Sequence, residues 1–299
     1  MIFYGRMDNL QSTPVMKHTA ILLGAFAALS LPVDAVTLLG VTANNRLVSF
    51  DSSAPATFLT DFAITGLKAS DGVTADPSAV LVNLAWNSAN NSHYGIDTNG
   101  NFYSVSQAGV ATVIDSTFTP TGFTAGLAYD PFTQKFLFAS DAAESVLIAA
   151  NGTRTNNPAL VFGTGDANVG TAPKIFGAGI DADFGNAYFV DADLDILASS
   201  LDPNFSELFT NGALGLDVVS FGGLTVDTEG VLWGAMSVDG LTSSLYSINT
   251  TTGAATLVAG FGAGVGMESI AQVPEPSRAL LLGLAAAGFV FRRRRVAVA

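Results

Sequence analysis

Asp191, Asp193 and Asp195 are the residues whose type and spacing come nearest to metal chemistry. Alternate acidic side chains offer hard oxygens to Ca²⁺, as the first half of an EF-hand loop does. The pattern then departs from such a loop. Ile196 stands where glycine makes the sharp turn, and Asp202 rather than glutamate takes the closing position. The competing reading is three solvated turn aspartates between two strands of one repeat. Asp181 and Asp183 join the metal reading only if folding brings them alongside. A second acidic series, Asp130, Asp181 and Asp227 with Asn87 in the equivalent place, recurs at one position of a repeat. It predicts one of two things: a polar ring at one end of a central channel, or side chains that bond the backbone N–H groups of their own turns.

Other chemistry finds less support. His93 is the only histidine after the N-terminal segment, and Ser92 is merely its sequence neighbour. A nucleophile needs a base that a third group orients, so a turn residue before Tyr94 is the plainer reading of His93. One histidine and no cysteine fall short of the ligands zinc takes. The run from Gly260 to Gly266 lacks the Lys-Ser/Thr and the following helix of a phosphate loop, and reads as a loop before a closing strand. Trp86 and Trp233 read as core or blade-contact residues, with stacking on sugars as the alternative. Asn151, Asn204 and Asn249 open glycan-acceptor triplets of low specificity. No catalytic residue and no cofactor is assigned, Ca²⁺ at the aspartate triplet being the one candidate.

Charge narrows the partners. Residues 36–272 hold five basic and 22 acidic side chains, a net charge of −17. Such a body repels phosphate backbones, which excludes nucleic acid as a partner. With no cysteine, neither disulfides nor thiolate metal sites are available and packing alone must stabilise the domain.

The elements that would position these residues come from a repeat. Five segments share a form, with alternating apolar residues, an Asp or Asn turn, a second short strand and then a third and fourth. They start near Leu84, Leu127, Ile180, Leu224 and Ile270, at intervals of 43, 53, 44 and 46 residues. Four-stranded propeller blades have this length. Phe102–Ser106 and Leu245–Asn249 show the period-two alternation of strands with one buried face. Gln107-Ala108-Gly109 and Thr251-Thr252-Gly253 put glycine where a hairpin needs positive φ. The fifth segment is split, its first strand near Ile270 and the rest supplied from Val36 onward. The reading is all-β, a five-bladed propeller in which 267–272 closes the ring beside 36–64 and removes an exposed edge. A β-sandwich or an irregular β-solenoid is the alternative.

Both ends carry addresses. Met16-Lys17-His18, the apolar run Ile21–Leu31, and small residues at Val33 and Ala35 describe a secretory signal over 1–35 that signal peptidase cuts after Ala35, with Met16 as a candidate true start. At the other end Val273, Pro274, Glu275 and Pro276 form an extended hinge. A short apolar run from Ala279 to Phe291 follows, then Arg292, Arg293, Arg294 and Arg295. Thirteen apolar residues make a helix of about 20 Å, shorter than the roughly 30 Å hydrocarbon core. The arginines belong on the cytoplasmic side, which leaves the body outside.

This order of motif, short helix and arginine cluster over 273–299 resembles the PEP-CTERM sorting signal. The resemblance implies cleavage near Pro274-Glu275-Pro276 by an exosortase-type membrane protease in a Gram-negative bacterium that makes extracellular polysaccharide. It also implies a transient membrane anchor followed by a cell-surface or matrix location. Gly40–Asp51 and Leu245–Val258 resemble the opening and closing repeats of a bacterial domain-of-unknown-function family common in exported proteins, which brings no site residues with it. The functional expectation is a non-enzymatic binding or structural protein whose partners are extracellular polysaccharide or other envelope proteins. The alternative is a Ca²⁺-assisted hydrolase or lyase with its site in the propeller channel.

Overall fold

The structure is a computed structural model that describes residues 35–122, 124–219, 222–262 and 264–273. The expected signal before Ala35 and the expected tail from Pro274 onward, with Glu275, Pro276 and the four arginines, lie outside the described residues. Every named element is a strand. Blade 1 takes β1 (Thr37–Thr42), β2 (Arg46–Asp51) and β3 (Phe58–Ala63). Blade 2 is β4 (Leu81–Asn87), β5 (Ser92–Asp97), β6 (Phe102–Val105) and β7 (Ala111–Asp115). Blade 3 is β8 (Ala125–Asp130), β9 (Lys135–Ser140), β10 (Ser145–Ala149) and β11 (Arg154–Asn156). A short β12 (Val161–Phe162) precedes blade 4, which is β13 (Ile175–Ile180), β14 (Ala187–Asp191), β15 (Ile196–Ser200) and β16 (Glu207–Ala213). Blade 5 is β17 (Gly222–Val226), β18 (Leu232–Met236), β19 (Ser244–Ile248) and β20 (Ala255–Gly260). Last comes β21 (Met267–Gln272), which returns to blade 1 and gives the order β21-β1-β2-β3.

The closure expected between the two ends of the domain is therefore present. β21 runs antiparallel to β1, with Leu39 opposite Ala271 and Gly40 opposite Ile270. Val273 N donates to Thr37 O at 3.2 Å just beyond the ladder. Gly109 and Gly253 occupy their hairpins at φ 80° and 75°, the positive angles the sequence anticipates there.

Each blade alternates its side chains, so each sheet buries one face against the blade before it and the other against the blade after. Five separate apolar clusters result, one per blade interface. Leu47, Leu81 and Tyr103 fill the seam between blades 1 and 2. Phe102 and Phe136 fill the seam between blades 2 and 3, with Tyr94 4.7 Å from Phe136 between ring centroids. Leu137 and Phe189 join blades 3 and 4, and Phe176 and Leu232 join blades 4 and 5. Phe50, Trp233 and Met267 close the circle. Phe261 leaves the glycine-rich loop to meet Phe50 edge-on at 5.0 Å, which anchors that loop into the same seam.

The five innermost strands, β4, β8, β13, β17 and β21, face one another around the axis. Five is a small number of blades, so these strands approach closely and small residues are required. A Cβ on Gly126 would lie 2.0 Å from the Ala178 N of the next blade, and one on Gly223 would lie 2.8 Å from Ser269 Cα. Polar stitches cross the same seams. Ser269 Oγ accepts from Leu84 N at 3.0 Å, and Asn83 Nδ2 donates to Ala125 O at 2.6 Å.

Candidate functional site

At the C-terminal ends of the inner strands, each member of the repeated acidic series folds onto its own hairpin. Asp130 accepts from Phe132 N at 2.9 Å and from Thr133 Oγ1 at 2.5 Å. Asp181 accepts from Asp183 N, and Asn87 from Ala89 N, each at 2.9 Å. Asp227 accepts from Glu229 N and Val231 N, and its second oxygen takes Trp233 Nε1–H at 2.7 Å. Of the two readings of this series, the geometry fits turn capping. Between Leu84, Leu127, Ala178 and Leu224 the channel shrinks to about 30 Å³, room for little more than one water.

At the N-terminal ends the channel opens into a cup of about 320 Å³. Asn83, Ala125, Phe176, Gly222 and Glu268 line it, one from each inner strand, with Ile96, Asp97, Thr124 and Phe138 completing the wall. Asp97 is spent on its surroundings. It accepts from Asn99 N, Asn101 N and Asn101 Nδ2, and from Tyr103 Oη at 2.7 Å. Burial, and then this bond to Asp97, push the Tyr103 hydroxyl far above its ordinary pKa. Glu268 differs: among the described residues it has neither a hydrogen-bond nor an ion-pair partner, and burial pushes its carboxyl up. Thr124 Oγ1 is likewise buried without a partner there.

The aspartate triplet falls in the β14–β15 hairpin and does not converge. Asp191 is fully buried and accepts from Lys174 N, Asp193 N and Leu194 N, while burial raises its pKa against those three bonds. Asp193 is exposed. Asp195 takes the left-handed turn position at φ 52° and accepts from Val218 N at 2.8 Å. Asp191 lies opposite Ile175 in the ladder whereas Asp181 follows Ile180, so Asp181 and Asp183 sit at the other end of the blade. Among the described residues no group of three or more His, Asp or Glu is arranged to hold a metal ion.

His93 corrects an expectation. It lies within β5 rather than in a turn, opposite Trp86 in the ladder and 3% exposed. Its Nε2 is 3.0 Å from Gln272 O in the closing strand. Trp233 is a blade-contact residue, as its sequence context suggests, and Trp86 is half-buried with its indole N–H toward Asn91 Oδ1 at 3.4 Å. Ala35 is exposed and Val273 half-buried beside the last strand. Among the described residues no helix is long and apolar enough to cross a membrane.

Two aromatic residues escaped the reading of the sequence. Phe132 and Phe184 stand in the equivalent hairpins of blades 3 and 4, and are 65% and 77% exposed. The Phe132 ring lies over Gly185, where an added Cβ would be 3.3 Å away. Their signal in the sequence is an aromatic residue two or three places after the repeated turn aspartate, in an otherwise polar stretch.

Fold and cup together define a five-bladed β-propeller closed by its own terminal strand, with a cup at one end of its axis. The chain belongs to the family described as domain of unknown function (DUF4394), which it matches over residues 46–271. Residues 272–295 match the PEP-CTERM protein-sorting motif, which implies export and exosortase-type sorting. No curated protein matches the chain. Among solved structures, the nidogen/laminin complex is 14% identical over 80% of this chain and 98% of that chain, with a TM-score of 0.48. A protein of unknown function from Bacteroides thetaiotaomicron is 18% identical over 67% of this chain and 53% of that one, at TM-score 0.46. Virginiamycin B lyase from Staphylococcus aureus is 12% identical over 73% and 68%, at TM-score 0.42. None of these likenesses bears on what the chain does.

Proposed function

We propose that the body is an exported, non-enzymatic binding propeller that holds a neutral extracellular polysaccharide on the face carrying Phe132 and Phe184. The observation behind this reading is the pair of exposed phenyl rings raised by equivalent hairpins of adjacent blades. Covering a solvated phenyl ring is worth about 1.5–3 kcal/mol, and pyranose rings offer flat C–H faces that stack on such rings. The net charge of −17 over 36–272 disfavours polyanions, hence a neutral polymer. The non-enzymatic part draws on the carboxylates. Glycoside hydrolysis takes two of them about 5–10 Å apart, one as acid and one as base or nucleophile. The hairpin aspartates are each tied to their own turn, and in the cup Asp97 is spent, leaving Glu268 alone. The sorting motif would deliver this binder to the surface or matrix after a transient stay in the membrane.

Affinity electrophoresis of the exported protein in gels containing the native host's own exopolysaccharide tests the reading. The wild type should be retarded, and the F132A/F184A double variant should lose about tenfold in affinity, or 1.4 kcal/mol, with an unchanged melting temperature. Equal retardation of the two would overturn the site. The appearance of new reducing ends or unsaturated sugars in the polymer would overturn the non-enzymatic role and favour the hydrolase or lyase alternative.

A further inference from the structure

The cup at the other end of the axis carries a separate inference. Among the described residues its wall holds two carboxylates and no basic side chain. Asp97 is satisfied by four donors, but Glu268 has no partner among the described residues, and elsewhere on the same wall Thr124 Oγ1 is buried without one among them. Phe138 and Phe176, 2% and 1% exposed, together with Ile96 make one part of the wall apolar, while Asn83, Thr98 and Thr124 make another part polar. A carboxylate held in such surroundings is unfavourable until a cation joins it. The body has few cations to give: Arg46 on β2 pairs with Asp61 on β3, and Arg154 on β11 pairs with Asp115 on β7.

We propose that the cup binds a small organic cation, its ammonium group on the Glu268 carboxylate and its apolar part against Phe138 and Phe176. The volume of about 320 Å³ lies at the lower end of the roughly 300–1,000 Å³ of small-ligand pockets. This site shares no residue with the aromatic face and stands or falls apart from the polysaccharide reading.

Three probes of one shape decide it: phenethylamine, 2-phenylethanol and phenylacetate, titrated calorimetrically into the exported protein at about pH 7. The amine should bind saturably, the alcohol about tenfold more weakly, and the carboxylate not at all. E268Q keeps the side-chain volume and should bring amine and alcohol within about twofold of each other. The F132A/F184A variant should bind the amine as the wild type does. Absence of saturable amine binding, equal binding of all three probes, or an E268Q variant that keeps the preference would each overturn the proposal. Should E268Q fail to fold, the wild-type pH profile decides. Affinity for the amine must fall on acidification as Glu268 takes up its proton, and a flat profile down to about pH 4 would sink the idea.

Discussion

His93 ties blade 2 to the strand that closes the ring. Since Gln272 O can only accept, Nε2 carries the proton in this bond. Burial pushes its pKa below the ordinary 6.5, and the bond to Gln272 opposes this more weakly. Below about pH 6.5 the unfolded chain therefore binds more protons on this group than the folded protein does. Its contribution to stability is complete above that pH and is lost as pH falls from there through the lower pKa of the folded state. The melting temperature should drop as pH falls below about 6.5, and H93Q, whose amide still donates to Gln272 but does not titrate, should flatten the drop. Parallel profiles for the two proteins would rule this out. Residue roles were the least legible layer of the sequence. Alternate aspartates look the same whether they gather on a cation or cap N–H groups of one hairpin, and only the left-handed turn at Asp195 separates the two. Glu268 reads as one polar place in an ordinary alternating strand, because nothing local says that this face of β21 borders a cup.

Strands and blades were far more readable, because turn aspartates and apolar alternation repeat at the length of four short strands. The one long interval, 53 residues, has a physical cause. After β11 the chain adds β12, which lies parallel to β16 at the outer edge of blade 4, before it reaches β13. A two-residue strand formed by a distant parallel partner leaves no periodicity to detect. Closure is where an element carries the most consequence. A chain ending at residue 266 would bare the β1 edge, strip the Ser269 acceptor from Leu84 N and open the Met267–Ile270 side of the seam with blade 5. Losing Met267 and Ile270, both fully buried, at about 1.5–3 kcal/mol each removes a large share of the roughly 5–15 kcal/mol by which a domain is stable. The truncated protein should therefore melt far below the full chain. A transition like that of the full chain would refute the account of closure.

For the molecule as a whole, the address and the domain meet within a few residues. The last strand ends at Gln272 and the sorting motif starts there. The mature protein from the native host should lack the residues after about 275, leaving almost no stalk. Recovery of intact 273–299 peptides from the surface or secreted pool, by mass spectrometry, would show that no cleavage occurs. The pairing of β1 with β21 also sets a schedule. A chain is made from its N-terminus, so β1 is among the first strands to exist and its partner is the very last. Blades 2 to 5 can each form from consecutive hairpins while the chain is still growing. Blade 1 has to wait with one edge open, and the loop that must then close is nearly the whole domain, a slow event by its entropy. Maturation of this protein is thus gated by the six residues of β21, and the interval before they arrive is when it is most exposed to proteases and to mispairing with its neighbours.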